Sequence, residues 1–365
     1  MKKAIVLILI LLITFGAVGC RSNKYPPQKS TKEESRVVMT LSLEGEKYEV
    51  KYELYRALFL SNRTSVDGGD RSVWSGESKD TYIAEINEII KEKAARIYSA
   101  FHLAKILGID PYSKEIDEKI SEYIKISVEG NGETTGFGGD YDAYLKSLSD
   151  AGLNYSTQEL MLRYSILLEK IDEHYKGKYD ENLGYVNSKY NLSDEELRSY
   201  YFGNDSVRVL HAYMQDGVGG DTVAKMESIR EGIVSSESDI DAALYIINHT
   251  LVTPTDLIIN KKVSGITVGR YAIDESYLAY RSAAFSLGIG ETSAVIEVND
   301  GTKGYYVIHA LEKTEDHYVM CNEEIKESFF DNMISKKLVD ITEGLKSSAT
   351  YDNNYNEINH GDISI

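Results

Sequence analysis

His211 lies inside residues 206–214 (SVRVLHAYM), a short β-rich run, and its setting is the one most open to chemistry. A ring nitrogen carried on a strand can give or take a hydrogen bond at a fixed point. The other candidates are weaker. His102 and His174 fall on helical patterns with no histidine four residues away and no paired cysteines, so neither is expected to hold a metal. The chain has no G-x-S-x-G and no H-E-x-x-H, which leaves a protease or glycosidase reading without a nucleophile or metal motif. Paired acids such as Glu195-Glu196 read as cap and surface charge. Residues 130–139 (GNGETTGFGG) are rich in glycine, as phosphate cradles are. No strand precedes them and no Lys-Ser/Thr follows, so they read as a flexible loop. No cofactor is expected.

The elements that must position His211 can be read around it. Ala283, Ala284, Phe285 and Leu287 end a helix over 277–287, and Gly288 and Gly290 stop it, glycine taking the left-handed conformation without steric cost. Residues 294–298 are a strand, 299–301 a turn, and 305–311 (YYVIHAL) a second strand. Ser193 and Glu196 form a capping box that opens a helix over 197–202, directly before the His211 strand. Two further helical faces follow that strand: Val223, Met226, Ile229 and Ile233, then Ile240, Ala243, Leu244 and Ile247. Residues 251–268 read as irregular.

Upstream, residues 37–43 alternate as a strand, 44–46 turn, and 53–60 form a short helix. Residues 61–79 read as a polar loop holding Trp74, either a contact for a bound partner or a cover for a small satellite cluster. Asp80 is placed to cap the longest helix, 81–107, with apolar residues at three- and four-residue spacing from Ile83 to Leu107. Ser113 caps the next helix, 140–148 form another, and Ser156 with Glu159 reads as a capping box for 160–175. Near the end, 323–345 are amphipathic through Ile325, Phe329, Met333, Leu338, Ile341 and Leu345. The Asn-, Asp- and Ser-rich remainder reads as a disordered tail.

The 365 residues suffice for two domains with cores of their own. A net charge of −18 argues against nonspecific nucleic-acid binding. Residues 1–20 read as a targeting segment: Lys2 and Lys3, then an apolar stretch over 4–15 too short to span a bilayer comfortably. Ala17-Val18-Gly19-Cys20 resembles a bacterial lipobox, which makes Cys20 the lipidated first residue of the mature chain. Cys321 then has no cysteine partner and reads as a small apolar residue on or near a strand. Residues 21–36 are polar, contain Pro26-Pro27 and read as a tether.

VRVLHAYM resembles the first strand of the parvulin family of peptidyl-prolyl isomerases, and AAFSLGIGETSAVIEVNDGTKGYYVIHALEK resembles that family's closing stretch. The likeness covers residues 206–314. It is specific at both ends and poor between them. The flanking helices resemble the chaperone domain of PrsA- and SurA-type secretion foldases. The resemblance implies an α+β fold: a mostly helical, discontinuous chaperone domain like the N-terminal domain of SurA, with an inserted parvulin-like α/β domain built on a small antiparallel sheet flanked by helices. Its segments are a signal peptide over 1–20, a tether over 21–36, chaperone domain over 37–205, the parvulin-like domain over 206–314, a completing C-terminal helix over 315–347 and the tail over 348–365.

The resemblance also implies a function. It is that of a lipid-anchored foldase on the outer face of a cytoplasmic membrane, taking unfolded or newly exported polypeptides and X-Pro segments as partners, with a homodimer left open. The alternative is a non-catalytic holdase or assembly factor on the same scaffold. Rotation about X-Pro faces an amide barrier of roughly 18–20 kcal/mol. Lowering it needs an apolar seat for the ring and polar groups that favour the twisted amide. The family uses two strand histidines, a nearby Cys or Asp, and a Met and a Phe at the pocket wall. His211 matches the first histidine and Tyr306 stands at the second. Tyr280 takes the Phe position and Ser276 the Met position. The S-x-D and G-G-D-L-G segment has no recognisable match, 266–269 being its nearest counterpart. These departures imply weak isomerase activity or none.

Overall fold

Residues 37–51 fold back on themselves at Glu44 and Gly45, both at positive φ. In the computed structural model, which describes residues 24–132, 134–180, 184–217, 220–250, 257–259, 262–271, 277–299 and 302–363, they form β1 (Val37–Leu43) and β2 (Glu46–Lys51), paired antiparallel. The targeting segment, Cys20 and Ser276 lie outside the described residues. Alternation turns Met39 and Leu41 into the core, and Val38, at the register shift between Val37 and Met39, is buried as well.

Helix α1 (Tyr52–Asp67) follows at once and runs seven residues past its expected end, to Gly68 at φ 59°. It therefore absorbs the first seven residues of the loop assigned to 61–79. Trp74 is buried in a 3-10 turn, Arg71–Trp74, its indole N–H donating to Asp67 Oδ2 at 2.8 Å and its ring 4.8 Å from Phe59. It covers a cluster, and the partner-contact alternative is set aside. Helices α2 (Lys79–Ile106), α3 (Lys114–Glu129), α4 (Tyr141–Asp150) and α5 (Tyr155–Lys176) come next. Ser113 and Asp140 cap α3 and α4 with their side chains. Two expected caps differ. No side chain caps α2, which starts before Asp80, and Asn154 rather than Ser156 accepts from the third N–H of α5.

The chain divides into two units, 24–174 with 337–363 and 175–336 as described. These borders differ from the expected 205/206 and 314/315. The physical reason is a core of Leu197, Tyr200 and Tyr201 with Tyr318, Cys321 and Ile325, which ties both flanking segments to the sheet-bearing unit. The overall class is α+β, as the pattern implies, with small antiparallel sheets and a helical unit interrupted in sequence.

In the sheet-bearing unit, β3 (Lys178–Asp180) and β4 (Gly184–Val186) form a ribbon ahead of α6 (Asp194–Phe202), which carries the expected Ser193–Glu196 capping box. Then come β5 (Ser206–Gln215), α7 (Thr222–Val234), α8 (Asp239–His249), the β6 (Ile258–Ile259) and β7 (Lys262–Val263) ribbon, β8 (Ile266–Gly269), α9 (Leu278–Ser286), β9 (Ile296–Asn299) and β10 (Lys303–Leu311). Helices α10 (Glu315–Met320) and α11 (Asn322–Ser347) follow, the division of units falling within α11. The four-stranded sheet has the order β8-β5-β10-β9, antiparallel throughout. Residues 266–269, read as irregular, are its edge strand. Among the described residues no helix is long and apolar enough to cross a membrane.

Both terminal expectations of looseness are corrected. Residues 24–36 dock on the helical unit instead of forming a tether: Tyr25 is buried, and Arg36 donates to Asn354 O at 2.7 Å. Residues 348–363 are ordered. Thr350–Tyr351 (β11) pairs with β1, and Ile358, His360 and Ile363 are buried. His360 Nε2 lies 2.8 Å from the Tyr55 hydroxyl, which donates to Asn87 Oδ1 at 2.7 Å. Sparse apolar residues at these positions suffice because the core was already built and needed only a lid.

Candidate functional site

The period-two alternation of a strand puts His211 and Tyr213 of β5 on one face of the sheet. Antiparallel pairing sets Tyr306 of β10 opposite Tyr213 and Ile308 opposite His211, so these four share that face. Helix α9 covers it with Tyr280 and Ala284, and Val209, Val268 and Val298 complete the apolar floor. The sequence-expected residues His211, Tyr280 and Tyr306 are therefore brought together.

Their geometry is an aromatic cluster around one polar pair. His211 Nδ1 lies 2.8 Å from the Tyr280 hydroxyl. The Tyr306 ring meets His211 edge to face at 5.4 Å and Tyr280 edge to face at 5.1 Å. Tyr213 lies tilted at 4.8 Å from Tyr306, and Tyr277 stands 6.3 Å from both Tyr280 and Tyr306. Such tilted contacts set the positive edge of one ring against the negative face of the next. Tyr280 is buried, and burial pushes its hydroxyl far above the usual tyrosine range, with Tyr306 adding to the shift. It stays a neutral phenol at every physiological pH. His211 is half-buried and commits Nδ1 to that phenol in either tautomer. The cluster holds one oriented imidazole among the edges of several rings.

The opposite face carries a second histidine that the sequence reading recorded only as part of a strand. His309 of β10 is buried, its Nδ1 2.9 Å from Thr292 Oγ1 and its Nε2 3.5 Å from Asp239 Oδ1. It borders a cavity of about 420 Å³ lined with Ile233, Val234, Leu287, Glu291 and Thr292. Nothing in the pattern YYVIHAL marks one histidine face from the other until β10 is paired.

Among the other perturbed groups of this unit, Glu324 and Arg208 have structural partners and Cys321 is buried. Glu324, Ser328 and Asn332 stand one above the other on α11, at four-residue steps. Glu324 accepts from Thr267 N at 2.7 Å and Thr267 Oγ1 at 3.1 Å, Ser328 donates to Thr267 O at 3.0 Å, and Asn332 accepts from Tyr271 N at 2.9 Å. The stripe thus covers the open edge at β8 in place of a fifth strand. Burial raises the Glu324 carboxyl to about 7. Arg208 is buried and donates to the carbonyls of Ser264, Glu312 and Val263, clamping β7 to the end of β10. Cys321 sits buried at the α10–α11 junction, not on a strand, and burial pushes its thiol up to about 11, so it is no thiolate nucleophile.

In the helical unit His102 is buried and spends Nδ1 on the Tyr48 hydroxyl at 3.0 Å. Among the described residues no three His, Cys, Asp or Glu side chains gather as a metal site.

No family model and no curated protein matches the chain. Among solved structures it is similar to the foldase protein PrsA of Streptococcus pneumoniae, with 17% identity, 84% of this chain and 92% of that chain covered, and a TM-score of 0.27. It is also similar to PrsA of Lactococcus lactis (13% identity, 87% and 96% covered, TM-score 0.25) and of Bacillus subtilis (16%, 86% and 93%, TM-score 0.24).

Proposed function

We propose that this chain is an exported, lipid-anchored foldase whose sheet-bearing unit is a degenerate parvulin-type peptidyl-prolyl isomerase, and that holding unfolded polypeptides is its main activity. The observation that supports the reading is the cluster at His211: the strand residue that matches the first parvulin histidine holds Tyr280, and tyrosines stand around it. Cys20 at the end of the lipobox-like segment is the proposed anchor, with several acyl chains holding far better than one. Ser276, at the wall position, belongs to the same proposal.

The chemistry follows from the ring arrangement. A proline ring is apolar and flat enough to lie against the Tyr213, Tyr277 and Tyr306 edges. Catalysis then needs groups that bind the twisted amide better than the planar one. Tyr280 fixes the His211 ring, so one imidazole is oriented toward the seat. Where a second imidazole is expected, Tyr306 puts its hydroxyl further out on a longer side chain. Losing 1.4 kcal/mol of transition-state binding costs about tenfold in rate. Replacing one histidine and one apolar wall residue removes at least that much, so the holding function outlasts the catalytic one.

The test is aggregation of a chemically unfolded client in the presence of the full chain. Light scattering should fall with equimolar protein, and the His211→Ala variant should suppress it equally. Absence of suppression by the wild type overturns the foldase reading.

A further inference from the structure

The described residues of the glycine-rich stretch, 130–132 and 134–139, are a built element. Phe137 N and Gly139 N both donate to Val128 O, at 2.9 and 2.8 Å, and Asp140 N returns to Phe137 O at 3.0 Å. Gly130 (φ 81°) and Gly136 (φ 52°) touch so closely that a Cβ on either would fall within 2.4 Å of the other's part of the loop backbone. The loop is wound tightly on the end of α3, and what it presents at its tip is Phe137, 39% exposed. Residues 135–139 (TGFGG) carry no charge.

Phe137 is continuous with the place where the chain enters the fold. Its ring meets Tyr144 at 5.8 Å, Tyr144 stacks on Tyr141 at 6.0 Å, and Tyr141 lies 5.2 Å from Tyr25. Hydrogen bonds lock the entry: Tyr25 donates to Glu129 Oε1 at 2.8 Å, and Tyr141 donates to Pro26 O at 2.7 Å. Glu129 is balanced by Lys24 at 2.7 Å and Lys125 at 3.5 Å.

Chain length decides what faces this rim. Five residue steps separate Cys20 from Tyr25, and at 3.3–3.6 Å each they reach at most about 18 Å. With acyl chains on Cys20, the docked Tyr25 cannot leave the neighbourhood of the headgroups. Aromatic side chains favour that zone, where one edge is apolar and the other wet. We propose that the rim of Tyr25, Tyr141 and the 135–139 loop rests on the lipid surface, with Phe137 seated among the headgroups. This rests on the proposed anchor at Cys20 and adds an orientation: the helical unit meets the bilayer at the C-terminal end of α3.

Bromine in lipid chains quenches tryptophan that comes near them, which gives the test. Full-length lipidated protein is reconstituted in vesicles of phosphatidylcholine and phosphatidylglycerol with brominated chains. Wild-type Trp74, buried in the core, supplies a constant background. Phe137→Trp should lose most of its added emission. Tyr112→Trp, 66% exposed at the far end of α3, about 24 Å away at 1.5 Å per residue, should keep its own. If the protein floats with the vesicles and neither emission falls, or both fall alike, the surface assignment is overturned while the anchor stands. If Cys20→Ala still floats and Phe137→Trp is still quenched, the surface assignment stands and the anchor falls. If no variant floats, both are overturned.

Discussion

The two faces of the four-stranded sheet use alternate residues of the same strands and are closed in opposite ways. On one face Leu210, Ala212, Tyr305, Val307 and Leu311 meet α7 and α8 through Met226, Ile229, Ile233, Ala243 and Ile246, an almost wholly aliphatic contact. On the other, the single helix α9 meets His211, Tyr306 and the small valines, and Tyr280 puts a hydroxyl into the interface. The first face has the composition of a core. The second keeps a hydrogen-bonded pair and several ring edges where a core would hold leucines. A fold tolerates that exchange at a cost in stability, so the face that departs from good packing is the better candidate for function. His309 is the polar exception on the aliphatic side: buried, with Thr292 Oγ1 at Nδ1 and Asp239 Oδ1 3.5 Å from Nε2, it borders the cavity described above.

Truncation gives the largest expected difference between the faces. Leu210→Ala should cost about 2–5 kcal/mol, the range for a fully buried leucine that leaves a cavity. His211→Ala should cost about 1–3 kcal/mol, the penalty of leaving the buried Tyr280 hydroxyl without its partner. Urea denaturation followed by tyrosine fluorescence and circular dichroism measures both. Equal costs, or the reverse order, would break the distinction between a packing face and a site face.

A smaller effect tests the edge. The Glu324 carboxyl is raised from 4.5 to about 7, chiefly by burial, with the Thr267 N–H and hydroxyl pulling the other way. The folded chain therefore binds this proton more tightly than the unfolded one. Its stabilising contribution is full below about 4.5 and is lost as pH rises through about 7. His317 has the opposite sign: burial, helped by Arg208, lowers it from 6.5 to about 4, so its contribution is lost as pH falls through that window. Glu324→Gln should flatten the fall in stability between pH 4.5 and 7, by an amount on the order of 1 kcal/mol. An unchanged slope between pH 4.5 and 7 would show that the carboxyl is not buried against β8 as described.

The strands that carry the site were legible because β-branched and aromatic runs bounded by turn residues leave little choice, as at VRVLHAYM and YYVIHAL. The helix over 79–106 was legible from its apolar spacing, and the Ser193–Glu196 box marked a start that the hydrogen bonds bear out. Terminal segments were not legible. A few residues such as Tyr25, Ile358 and Ile363 decide whether a polar stretch docks, and composition averages them away. The Ser156 box failed because Asn154, two residues earlier, reaches the Thr157 N–H first at 2.9 Å. Of the site, the participation of His211, Tyr280 and Tyr306 was accessible through the parvulin resemblance. The Tyr280–His211 bond was not, since sixty-nine residues separate them. Nor was the separation of His211 from His309 by sheet face, which depends on register.

The most direct test of the site is exchange-rate NMR on a series of proline-containing tetrapeptides, comparing the wild type with His211→Ala. The proposed degenerate pocket should give weak acceleration of cis–trans exchange or none, and the variant should differ little from the wild type. Robust catalysis, comparable to that of a parvulin with both strand histidines and abolished by His211→Ala, would contradict the account and make the His211–Tyr280 pair the centre of a working isomerase.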